Sequence, residues 1–159
     1  MRLYMLVSDT GGQPRNDLDG MGGAVAGGRW SPRGKPAIYT SCHTSTALLE
    51  LLVHTGGMLP AAGRLHLITL EIPDDCYDSA YVPAPPLGWG ELERDPRATV
   101  VIGTRWLAAQ EQLAMRVPSA LSPLDFNVLL NPRHKDMATV EVVSKVPFLV
   151  DSQAFSGLA

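Results

Sequence analysis

Short apolar runs alternate along this chain with long polar and glycine-rich stretches. Leu3 to Val7 predicts a first strand. From Asp9 to Gly28 seven glycines and mostly polar residues follow without apolar periodicity, which predicts a long loop. Loops of that length inside a compact domain usually serve as lids or binding segments. Pro36 to Thr40 predicts a short strand. Thr44 or Ser45 then offers a helix cap, and Ala47, Leu48, Leu51 and Leu52 recur at helical spacing until Gly56-Gly57 stops the helix. Arg64 to Ile72 carries Leu65 and Leu67 on one alternating face and Ile68, Leu70 and Ile72 on the other, predicting a central strand buried on both sides.

Three prolines between Tyr81 and Pro86 predict an extended connection, and Asp95-Pro96 opens a helix running to about Ala109. Leu113 to Val117 predicts a strand ended by Pro118, and Ser122-Pro123-Leu124-Asp125 a short capped helical turn. Thr139 to Lys145 sets Val140 and Val142 against Thr139 and Glu141 as a further strand before Phe148-Leu149-Val150 closes the pattern. Five or six short strands and two or three helices, without repeat or linker, predict a single α+β domain over residues 1–159.

Composition narrows the classes open to such a domain. Apolar residues make up 45% of the 159 positions, enough for a core, so disorder is excluded as the main state. Fifteen glycines and thirteen prolines point to many loops. The net charge is −3 and no basic run exists, so the electrostatic footprint of a direct nucleic-acid binder is missing. Cys42 and Cys76 are too few for a secreted disulfide scaffold and are expected to be reduced thiols. The run from Met1 to Val7 is too short for a signal peptide, and no apolar stretch approaches the roughly 18 residues of a membrane span. A cytoplasmic protein that binds neither membrane nor nucleic acid directly is the expectation.

Common catalytic motifs are absent. Gly22-x-Ala24-x-x-Gly27 imitates a dinucleotide-binding turn, but no strand immediately precedes it, and Gly27-Gly28 with Pro32 prevents the helix that should follow. There is no phosphate-binding G-x-x-x-x-G-K-[ST] loop, no G-x-S-x-G elbow and no C-x-x-C pair. Cys42, His43, His54 and His66 lack metal-ligand spacing, so no metal is expected.

The block from Gly27 to Tyr39 stands out instead. Its glycines admit a ligand close to the backbone, the Arg29 guanidinium suits phosphate oxygens, and Tyr39 adds an aromatic ring ten residues on, a set able to hold a phosphorylated aromatic ligand. The same residues also suit structural ends: Arg29 paired with a surface carboxylate, Trp30 plugging the core, Tyr39 an ordinary strand aromatic. Glu50, between Leu49 and Leu51, either puts a carboxylate to use in an apolar helix or projects to solvent between the apolar stripes. Ser119 follows Val117-Pro118 just past a strand end, where active-site residues gather and turns also form. Asn127 and Asn131-Pro132-Arg133-His134 read as turn chemistry, with His134 at the surface.

Taken together, Gly27-Gly28-Arg29-Trp30, Ile38-Tyr39, Leu49 to His54, Leu70-Glu71-Ile72-Pro73, Val117 to Ala120 and Asn127 to His134 resemble, in order and spacing, the RES-domain toxins, a family named for an Arg, a Glu and a Ser. The resemblance spans about residues 2–155. It implies an ADP-ribosyltransferase-like core of short mixed or antiparallel strands with a few helices, and an enzyme that cleaves NAD, its co-substrate, without a metal. An Xre-like antitoxin would neutralise it, covering the loop from Asp9 to Gly28 or the cleft below.

The family's catalytic residues fall on Arg29, Tyr39, Glu50 and Ser119, and Gly28, Trp30 and Asn127 complete the expected NAD contacts. By this resemblance Arg29 grips a phosphate, Tyr39 packs on nicotinamide or its ribose, and Glu50 with Ser119 orients ribose hydroxyls and stabilises developing positive charge. Two positions depart from the family pattern: Ser31 stands where an Asn usually follows the Trp, and Gln153 where an Arg is common. Water, phosphate or a host protein side chain as acceptor would make the enzyme a glycohydrolase, a phosphorylase or a mono-ADP-ribosyltransferase. A nucleotide-binding module without catalysis and a structural partner of a DNA-binding antitoxin are the alternatives.

Overall fold

The computed structural model describes residues 1–8, 18–58, 60, 64–91, 95–122 and 124–150. Strands β1 (Arg2–Ser8), β2 (Ile38–Ser41), β3 (Leu65–Glu71), β4 (Ala114–Pro118), β5 (Phe126–Leu130) and β6 (Glu141–Pro147) form one sheet in the order β4-β5-β2-β1-β3-β6. Every neighbouring pair is antiparallel. Helices α1 (Met21–Ala26), α2 (Thr44–His54), α3 (Asp74–Asp78) and α4 (Arg97–Ala109), with a 3-10 turn over Lys135–Thr139, complete the predicted α+β architecture.

Strand alternation gives the two sheet faces different work. The register pairs Ile38 with Leu130, Leu130 with Ala114, Leu3 with Leu70 and Met5 with Ile68, which places these residues on one face. That face is the main core: Leu3, Ile68, Leu70, Val128 and Leu130 are fully buried, and Ile72, Leu113, Val140 and the half-buried Tyr77 and Met137 close over them. The other face carries Tyr4, Tyr39, Ser41, Asn127, Leu129, Met115 and Val117. Helix α4 seals one end of it, where Trp106 and Leu107 pack with Trp30, Ala37, Met115, Val117 and Leu129. The seal is tight, because a β-carbon added to Gly103 would lie 1.7 Å from the Trp30 carbonyl oxygen. Helix α2 lies against β1 and β2, and the polar strip left on this face becomes the floor of a cleft.

Several expectations need correction. The stretch from Asp9 to Gly28 is not all loop: residues 9–17 lie outside the described residues, but Met21–Ala26 is a helix. Only Ala24 of that helix is buried, so no apolar stripe announces it in sequence. Backbone bonds from Gly34 to Ala24 and from Ala37 to Gly20 tie it to the approach of β2. The strand predicted over 64–72 is internal but next to the edge, with β6 outside it, so its second face is only half covered. Ser122 to Asp125 belongs to the 119–125 connection of the β4–β5 hairpin and carries no helix among its described residues. There the Ser119 amide bonds Asp125 O (2.9 Å), Leu124 takes φ 71°, and Pro123 lies outside the described residues. His134 is buried, not superficial, and its Nδ1 caps the 3-10 turn by accepting from the Asp136 amide (3.1 Å). That turn takes up Thr139, so the last strand begins at Glu141, and its edge position leaves Val142 half exposed where the alternation suggested burial.

Candidate active site

Helix α2 turns Thr46, Ala47 and Glu50 inward. Thr46 and Ala47 are its buried residues, and Thr46 donates to the buried Asp125 carboxylate, which anchors the start of the helix. One turn on, Glu50 is half-buried and reaches β5 and the end of β4. Its Oε1 accepts from Asn127 Nδ2 (2.5 Å) and from the Ser119 hydroxyl (3.3 Å). Among the described residues nothing donates to its Oε2. Glu50 is therefore neither a solvated helix residue nor a paired core charge.

Ser119 is fully committed. Its single proton goes to Glu50, and its oxygen accepts from the Leu121 and Ser122 amides (3.1 and 3.2 Å). Asn127 sits in β5 on the cleft face, not in a turn, and its Oδ1 accepts from the Ser41 hydroxyl (2.6 Å). The cleft that Glu50 and Asn127 floor has a volume of about 620 Å³ and is walled by β1, α1, the Gly27–Trp30 segment, α2 and Trp89.

The opposite wall holds the aromatic and cationic groups. Arg29 donates from Nη1 to the Trp89 carbonyl (2.8 Å), and its guanidinium carbon lies 5.9 Å from the Trp89 ring centroid. Among the described residues it pairs with no carboxylate. Trp89 in turn leans on the buried Trp30, with ring centroids 5.7 Å apart. The Tyr39 oxygen accepts from the Trp30 amide (3.3 Å) and shares a hydrogen bond with the buried Ser31 hydroxyl (2.8 Å). Burial pushes this phenol above its ordinary pKa, so Tyr39 stays neutral near pH 7 and offers its ring more than its acidity. Gly28 crowds the same oxygen, because a β-carbon there would lie 2.4 Å from it. The Ser31 departure thus leaves the turn bonded: the Gly28 amide reaches Ser31 O at 2.9 Å.

Gly28, Arg29, Trp30, Tyr39, Glu50 and Asn127 all line this one cleft, whereas Ser119 lies behind Glu50 without lining it. Gln153 lies outside the described residues. Ser41 and Trp89 also line the cleft and were not singled out in sequence. Ser41 was within reach of the period-two rule, being two residues after Tyr39 on the same strand face, whereas Trp89 follows a proline-rich connection that carries no periodic signal. Among the described residues no group of three His, Cys, Asp or Glu side chains is placed to hold a metal ion, and no helix is long and apolar enough to cross a membrane.

The fold itself also occurs in a solved protein. A chain from the crystal structure of the M. tuberculosis MbcT-MbcA toxin–antitoxin complex superposes with a TM-score of 0.67 over 92% of this chain and 83% of that one; at 16% identity the likeness is one of fold. The RES domain family matches residues 4–151, and the chain belongs to that family. It is 31% identical over 153 residues to a Sphingobium sp. (strain YBL2) protein described as a Prs ADP-ribosylating toxin, covering 94% of this chain and 93% of that one. It is 38% identical over 120 residues to the toxin Res of Yersinia enterocolitica serotype O:8 / biotype 1B (strain NCTC 13174 / 8081), covering 76% and 78% of the two chains.

Proposed function

We propose that this protein is a toxin that cleaves NAD at the nicotinamide–ribose bond and transfers ADP-ribose to an acceptor. The observation that carries the reading is the division of labour on Glu50. Two protein donors hold Oε1, and among the described residues none donates to Oε2, in a cleft whose other wall offers a cation. Nicotinamide leaves NAD as a neutral molecule, so the bond needs no general acid; the barrier lies in the positive charge that grows on the ribose. A carboxylate held in place before the reaction stabilises that charge without reorganising, an effect worth about 10²- to 10³-fold in rate when one such group is removed.

Arg29 supplies the anchor for the pyrophosphate, and the Tyr39 ring and Trp89 supply flat surfaces for aromatic bases. Ser119 serves through Glu50, because its own hydrogen-bonding capacity is already used. The cleft volume of about 620 Å³ lies within the range of small-molecule sites. The description of the Sphingobium relative as ADP-ribosylating favours group transfer, to a host protein, over simple hydrolysis or phosphorolysis. The fold neighbour's capture in a toxin–antitoxin complex supports restraint by an antitoxin, for which an Xre-like protein closing the cleft is the fitting partner.

Proton NMR of NAD incubated with the purified protein, with phosphate and with host lysate in separate arms, tests the reading. Release of nicotinamide by the wild type and its loss in Glu50→Gln is the expected result. ADP-ribose, its phosphate or a labelled protein band identifies the acceptor. NAD that binds saturably and stays intact in every arm replaces the enzyme with a nucleotide-binding module.

A further inference from the structure

The carboxylate that the proposed reaction uses is held by an amide, and an amide has two ends. Asn127 can present Glu50 with its NH₂, which binds a carboxylate, or with its carbonyl oxygen, which repels one. Rotation of the terminal torsion by half a turn interchanges the two, and shape alone barely distinguishes them. We propose that Ser41 makes this choice and is a positioning residue for Glu50.

Ser41 and Asn127 are direct cross-strand partners in the β2–β5 ladder, so their side chains emerge side by side on the cleft face. The Ser41 hydroxyl donates to Asn127 Oδ1 at 2.6 Å, which leaves Nδ2 to donate to Glu50 Oε1 at 2.5 Å. A reversed amide would set its oxygen against the carboxylate. Ser41 is 3% exposed, so water is a poor substitute for its proton. No other described residue donates to Asn127 Oδ1. The neighbouring hydroxyl cannot stand in either, because Thr40 points to the opposite face, where Oγ1 donates to Val128 O (2.6 Å). The polar chain Ser41, Asn127, Glu50, closed from the far side by Ser119, therefore runs across β2, β5, α2 and the end of β4, and from both ends its donors point toward the Glu50 carboxylate. Without Ser41, Oδ1 loses its donor among the described residues, and the amide's orientation is held from the Glu50 side alone.

This inference rests on the reading that Glu50 acts in NAD cleavage, but its structural half is open to test without turnover. Ser41→Ala, Asn127→Ala and the double variant are compared with the wild type by thermal melting, by the ¹H–¹⁵N signals of the Asn127 side-chain amide, and by kcat and KM for nicotinamide release. Ser41→Ala is expected to melt cooperatively, to shift the Asn127 amide signals and speed their exchange with water, and to lower kcat about tenfold with KM changed less than about twofold. The double variant is expected to be no slower than Asn127→Ala, since Ser41 acts only through that amide. Unmoved Asn127 signals, or losses that multiply in the double variant, overturn the proposal. If Ser41→Ala does not fold, Ser41→Cys preserves the volume with a weaker donor and carries the same readouts; wild-type signals and wild-type kcat in that variant also overturn it. A wild type that leaves NAD intact while Ser41→Ala displaces the Asn127 signals removes the NAD reading and leaves the positioning role standing.

Discussion

Gly28→Ala isolates the contact that holds Tyr39 in the cleft wall. Gly28 is not among the glycines with positive φ, so alanine meets no backbone penalty and any effect must come from the added methyl. That methyl would lie 2.4 Å from the Tyr39 oxygen, 2.7 Å from Cζ and 3.3 Å from Cε1. The phenol ring cannot retreat along β2 without giving up its bonds to Ser31 Oγ (2.8 Å) and the Trp30 amide (3.3 Å). Overpacking costs about 1–3 kcal/mol, and each lost hydrogen bond about 1 kcal/mol. Because Gly28 is itself exposed and its segment can yield outward, the expected loss is near the low end, about 2 kcal/mol, or a fall in Tm of about 4–8 °C for a domain of this size. Urea unfolding followed by tryptophan fluorescence reads the stability, and nicotinamide release reads the displaced ring as a raised KM. Gly22→Ala is the matched control: nothing lies within 4 Å of its added β-carbon, and alanine within α1 is expected to add about 0.5–1 kcal/mol. Gly28→Ala and Gly22→Ala proteins of equal stability and equal KM would refute the contact.

Other outcomes follow from the same geometry. Asn131→Ala is expected to lose about 2–3 kcal/mol in urea, because Asn131 is buried, bridges Leu107 O and the Arg133 amide (3.1 Å each), and its removal leaves both unpaired. Trp89→Phe keeps the backbone carbonyl that receives Arg29 but weakens the ring beside the guanidinium, so KM for NAD should rise about two- to tenfold while kcat holds, as steady-state kinetics will show. Burial raises Cys42 above the ordinary thiol value of 9.0 and Tyr39 above the ordinary phenol value of 10.0. The folded chain therefore keeps protons that the unfolded chain releases, and stability should be full below pH 9 and fall as pH climbs through 9 and 10. Urea midpoints that stay constant from pH 7 to pH 10.5 would falsify that assignment.

Much of this molecule was legible locally. Leu3 to Val7, Pro36 to Thr40 and Arg64 to Ile72 show apolar runs on a strand's scale, and each became a strand within a residue or two of its expected place. Asp95 before Pro96 marked the start of α4, and the Asp95 carboxylate indeed accepts from the Arg97 amide (2.9 Å). What escaped has a common cause. Helix α1 buries one side chain, and the β4–β5 hairpin connection is set by which strands are neighbours; neither leaves a periodic trace.

By itself the sequence determined the class of fold, the residues able to carry charge or stack on a base, and the family they resemble, because propensity, capping and side-chain chemistry act over a few residues. Only the tertiary structure decided which of those residues meet. Whether Glu50 faced solvent or the sheet could not be read from its flanking leucines. It was decided by Asn127 and Ser119, 77 and 69 residues away. Arg29 finds Trp89 across 60 residues, and Ser41 finds Asn127 across 86. Such meetings depend on strand order and register, which are set by packing one whole sheet face against its core, and a one-residue slip in β5 would turn Asn127 away from the cleft and leave Glu50 without its amide.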